Sequence, residues 1–100
     1  MTDKEFVLQH MPTARWNMNE DGFWPEIYAD HPQWRLSALA PIFKRPAVRI
    51  AVGPSRHLWH LAAIAVRETL DTGRMTYAGW NDKRPEVWEL GLPWPPEDAE

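Results

Sequence analysis

Ala47-Val48-Arg49-Ile50-Ala51-Val52-Gly53-Pro54-Ser55 is the stretch that decides the fold class. Val48, Ile50 and Val52 alternate with Ala47, Arg49 and Ala51, the two-residue period of a half-buried strand. Gly53-Pro54 breaks that strand, and Ser55 stands where a helix N-cap belongs. The residues beyond predict the longest helix of the chain, from Ser55 to about Thr72, with Gly73 as its stop. Leu58, Trp59, Leu61, Ala62, Ala63, Ile64, Ala65 and Val66 make its middle nearly all apolar. The polar stripe is narrow: His57, His60, Arg67 or Glu68, and Asp71. Such a helix is covered on most sides by its own fold, or meets a partner.

Toward the N-terminus, Asp30 and Pro32 read as the N-cap and first turn of a helix over 31–40, ended by Pro41. Before it, Ala14–Met18 and Phe23–Tyr28 read as a hairpin around Asn19-Glu20-Asp21-Gly22. Pro25 demotes the second strand to an edge or a bulge. Thr2 with Glu5 three residues on has capping-box form and opens a short helix over about Asp3–His10. Toward the C-terminus, Met75–Trp80 and Pro85–Leu90 read as a second hairpin, with Trp80 and Trp88 as its large side chains. Pro93, Pro95 and Pro96 around Trp94 favour extended polyproline geometry, or a tail laid across its own domain with Trp94 as anchor.

The expectation is a small α+β domain. Two β-hairpins plus one further strand form a mostly antiparallel sheet, packed on a long helix (about 55–72) with two shorter helices. The alternative pairs Ala47–Val52 in parallel with Met75–Trp80 across a crossover. Residues 1–92 make one domain and 93–100 a Pro/Trp-rich acidic C-terminal tail.

At 100 residues and 44% apolar, the chain has room for one ordinary core. No cysteine is present, which removes disulfides, thiolate metal sites and thiol catalysis and suits a cytoplasmic protein. No apolar run reaches the roughly 20 residues a membrane span needs. Asp3, Lys4 and Glu5 do not resemble the start of a signal peptide.

The net charge of −3 conceals a pattern. Residues 1–30 carry two bases against six acids, residues 31–67 six bases and no acid, and residues 68–100 three bases against eight acids. The middle block, with His31, His57 and His60, reads as an anion-binding face or as a surface neutralised by its acidic flanks. Arg49, Ser55, Arg56, His57 and Arg67 are its candidate ligand contacts. Ser55, Arg56 and His57 stand out, because a strand-to-helix turn exposes unpaired N–H groups.

Other chemistry is thinly represented. His57 and His60 share a helix face, but no third metal ligand follows, so no metal and no cofactor are expected. Glu20-Asp21, Glu86 and Glu89 show no acid–base pairing. Ser37 and Ser55 lie in no nucleophile motif. Seven tryptophans exceed what so small a core buries. Trp24, Trp80, Trp88 and Trp94 are therefore candidate partner contacts.

These features predict a non-enzymatic domain that binds another protein, as an accessory or inhibitor protein docking on a larger complex. Phage-encoded inhibitors of host defence share this size and lack of motifs. The rival reading is a nucleic-acid or nucleotide-phosphate module built on residues 31–67. The nearly all-apolar helix middle also leaves room for a homodimer.

Overall fold

The computed structural model describes residues 1–18, 25–31, 47–81 and 84–95. Helix α1 spans Asp3–His10. Its capping box is formed, with the Glu5 amide donating to Thr2 Oγ1 at 3.1 Å. Strands β1 (Arg15–Met18) and β2 (Pro25–Asp30) form the first hairpin. Strand β3 (Ala47–Val52) leads through a single 3₁₀ turn, Ser55–His57, into helix α2 (Leu58–Thr72). Strands β4 (Arg74–Asn81) and β5 (Arg84–Pro93) form the second hairpin. The five strands lie side by side in chain order, β1-β2-β3-β4-β5.

The sheet is mixed. Its outer pairings are antiparallel, while β3 and β4 run parallel at its centre, joined by α2. The α+β class stands, with one short helix among the described residues rather than two. The second, expected over 31–40, falls outside them.

Three local expectations need correction. Ser55 caps nothing: Pro54 precedes the 3₁₀ turn and has no acceptor side chain, so α-helical bonding begins at Leu58. β2 is not an edge strand, since it lies between β1 and β3. Pro25 is tolerated there because it is the first residue of the strand, and its carbonyl accepts from the Gly53 amide at 3.4 Å. The alternation of β3 also changes phase. Ile27 pairs with Ala51 but Tyr28 pairs with Arg49, so Ile50 is an extra residue, a β-bulge. Ile50 and Ala51 are consequently both fully buried, and Val52 is only half-buried.

α2 covers one face of the sheet. Its Leu58, Leu61, Ala62, Ala65 and Val66 pack with Ile27, Ala29, Val48, Ile50, Met75 and Ala78. The approach is close at Gly53, where a Cβ would lie 2.6 Å from Leu61 Cδ1. Gly73 ends α2 in the left-handed conformation, φ 73°. On the outside of α2, Val7 of α1 and Met11, the residue that caps its C-terminus, join the core. Arg67 lies 4.8 Å over the Phe6 ring, and Lys4 5.5 Å over the Trp59 ring.

β5 continues past Leu90, with Gly91 at φ 75°. Where composition suggests polyproline geometry, Pro93 is the last strand residue and the Trp94–Pro95 peptide is cis. The Trp94 amide donates to the Gly73 carbonyl at 2.9 Å, and its indole packs on the core. Buried His31 donates from Nε2 to the Pro93 carbonyl at 2.8 Å. No described helix is long and apolar enough to cross a membrane.

Candidate functional site

The sheet face turned away from α2 carries the polar chemistry. Along β2, Ile27 and Ala29 point into the core, so Glu26, Tyr28 and Asp30 point the other way. Register places Arg15 of β1 and Arg49 of β3 on either side of Tyr28. Each arginine then reaches diagonally to one carboxylate: Arg15 Nη1 to Asp30 Oδ1 at 2.7 Å, and Arg49 Nη1 to Glu26 Oε1 at 2.9 Å.

The Glu26 pair is graded in depth. The Glu26 side chain is 5% exposed, whereas that of Arg49 is 46% exposed. Glu26 Oε2 accepts a short hydrogen bond from the Tyr28 hydroxyl. Both carboxylate oxygens are thus engaged, which a buried carboxylate requires. Burial, then the bond to Glu26, push the Tyr28 phenol well above its ordinary pKa. Burial opposes the Arg49 charge, but its hydrogen bond to Glu26 and the surrounding acidic groups outweigh it, and the pKa rises.

Two aromatic rings continue this tract. The Arg49 guanidinium lies 5.2 Å from the centroid of the Tyr77 ring on β4. Tyr77 is the register partner of Trp88 on β5, with ring centroids 5.1 Å apart. Burial raises the Tyr77 phenol. Gly79, two residues beyond Tyr77, leaves room for the indole: a Cβ there would lie 3.0 Å from Trp88 Cζ3 and 3.3 Å from the Tyr77 hydroxyl. Even so folded over, Trp88 stays 46% exposed.

The residues singled out in the sequence divide among several places. Arg49 and Trp88 come together through Tyr77. Arg56 and His57 form a second group, Arg56 Nε donating to His57 Nε2 at 3.1 Å, with Ser55 exposed beside them. His57 stacks on Trp80, centroids 4.4 Å apart and 8° from parallel. Arg67 is on α2 against α1, away from both. His60 turns to Asp3 of α1 at 3.3 Å, so the two histidines of α2 and its leading turn do not converge. Trp94 is anchored on the core, and Trp24 lies outside the described residues. Glu86 accepts from the Asn81 amide, and Glu89 pairs with Arg74 at 3.5 Å. The described residues contain no group of three or more His, Cys, Asp or Glu placed to hold a metal.

Sequence reasoning missed Glu26, Tyr28 and Tyr77. The signal was there in part: Glu26, Tyr28 and Asp30 keep a strict two-residue spacing against Ile27 and Ala29. Tyr77 had no such mark, because only the register sets it between Arg49 and Trp88. The chain matches no known family model, no curated protein and no solved structure.

Proposed function

We propose that the protein is a non-enzymatic binding domain that docks on a partner protein, as an accessory or inhibitor subunit, through the sheet face bearing Arg49, Tyr77 and Trp88. The supporting observation is the contiguity of these three side chains, contributed by three adjacent strands. Arg, Tyr and Trp rank among the side chains most enriched in interface hot spots. Here each is held before any partner arrives: Arg49 by Glu26, Tyr77 by its neighbours on both sides, Trp88 by the bare backbone of Gly79. Prior ordering lowers the entropy cost of association.

The nucleic-acid reading draws less support. Its cations are spread over three places, Arg49 on the sheet face, Arg56 in the turn before α2 and Arg67 against α1, so no single basic surface forms. The test uses immobilised wild-type protein and Trp88→Ala in parallel capture experiments, with circular dichroism to establish equal folding. Retention of one protein by wild type and its loss from Trp88→Ala is expected. A mixed-sequence single-stranded oligonucleotide is titrated alongside at low and moderate salt. Salt-sensitive tryptophan quenching, with no Trp88-dependent protein capture, overturns the proposal in favour of nucleic acid.

A further inference from the structure

Resting on the protein-docking reading, we infer that the Arg49–Tyr77–Trp88 patch recognises a carboxylate carried beside an apolar side chain on the partner protein. The inference comes from how Arg49 is held. Glu26 occupies Nη1, and among the described residues Arg49 makes no other hydrogen bond. The Nε and Nη2 donors, the side-on edge of the guanidinium fork, remain open. That edge is the one that takes a carboxylate through two parallel bonds.

Glu26 is in no position to repel such a ligand at close range. It is buried beneath the guanidinium and tied by Tyr28, so the solvent-facing member of the pair is the cation. The relay runs from Tyr28 to Glu26 to Arg49, each group fixing the orientation of the next. A surface ion pair needs no such backing, whereas a recognition arginine profits from it. Tyr77 adds a hydroxyl that makes no hydrogen bond among the described residues, and Trp88 an exposed ring for the apolar neighbour of the carboxylate. The fork edge accepts carboxylate or phosphate alike, and it is the exposed Trp88 ring beside it that favours an anion carried on an apolar stem over free phosphate.

The test measures fluorescence anisotropy of three labelled octapeptides. One alternates Leu and Glu, and the other two carry Gln or Lys in place of Glu. The Glu peptide is expected to bind wild type about tenfold or more tighter than the Gln peptide, the scale of one charge-assisted hydrogen bond. Arg49→Gln should abolish that preference, while Trp88→Ala should weaken the Glu and Gln peptides alike. Arg49→Lys guards against misfolding: it keeps a charge for Glu26 but lacks the fork, and it too should lose the preference. Equal binding of Glu and Gln peptides overturns the carboxylate inference, as does binding of neither. In both cases Trp88-dependent capture, measured separately, still decides the docking reading. Displacement of the Glu peptide by inorganic phosphate at equal concentration overturns the choice of carboxylate.

Discussion

Arg49 and Glu26 form an ion pair whose two ends sit in different solvents: the carboxylate is buried, and the guanidinium, 2.9 Å away, is half in water. The stability of the pair therefore depends on what remains when one member is removed. Glu26 without Arg49 is a buried carboxylate with one satisfied oxygen. Arg49 without Glu26 is a surface cation that water accommodates.

Arg49→Met should accordingly destabilise the fold by about 2 kcal/mol, more than Glu26→Gln, which removes the buried charge itself. Urea denaturation of the two variants measures the order. The reverse order would mean that the carboxylate contributes more than it costs.

Tyr28→Phe should cost about 1–3 kcal/mol, because it leaves Glu26 Oε2 without its donor. The same substitution reports on alkaline stability. The folded-state pKa of Tyr28 is raised above that of an unfolded tyrosine, so the folded state retains a proton that the unfolded chain releases. The contribution is fully present below about pH 10, the unfolded value, and is lost as pH rises beyond it. Wild type should thus lose stability steeply above about pH 10, and Tyr28→Phe less steeply. Parallel slopes would remove Tyr28 as the cause.

Gly79→Ala tests the seat of Trp88. The added methyl meets an indole edge at 3.0 Å, and the ring, half in solvent, has somewhere to go. A cost near 1 kcal/mol with a red-shifted tryptophan emission is expected. Gly53→Ala meets Leu61 at 2.6 Å and Trp80 Cβ at 3.1 Å, both packed against the core. It should cost about 1–3 kcal/mol, and more than Gly79→Ala, in thermal or urea unfolding.

Gly73→Ala separates backbone strain from crowding. The nearest atom to a Cβ there is the Trp94 carbonyl oxygen at 3.9 Å, so space is ample, but φ is 73°. A loss of about 1–2 kcal/mol is expected from the left-handed conformation alone. Gly73→Asn should recover part of it, since Asn tolerates that region.

Much of this architecture was legible in the chain. Thr2 and Glu5 mark the start of α1, Gly73 marks the end of α2, and the alternation through Ala47–Val52 marks β3. Each signal is local and needs no knowledge of the neighbours. What could not be read is what pairing decides. The bulge at Ile50 exists because β2 and β3 slip by one residue, and nothing in Ala47–Val52 announces it. Trp80 and Trp88 looked equivalent as large residues of one hairpin, yet Trp80 joins His57 beside α2 and Trp88 joins Tyr77 on the opposite side. The basic run 31–67 looked like one surface, but Arg49 sits on a strand face and Arg67 on a helix. Charge counted along a chain carries no information about which layer each residue enters.

The parallel contact at the middle of the sheet is short, with Ala51 opposite Ala78 and Val52 opposite Gly79. It divides the sheet into a left leaf, β1-β2-β3, and a right leaf, β4-β5, with α2 as the binding along the spine. Arg49 stands on the left leaf and Trp88 on the right. A partner that grips both clasps the two leaves together, so occupancy would register as mechanical reinforcement: a higher force to pull the leaves apart, and slower hydrogen exchange at Ala78 and Gly79 than in the free protein.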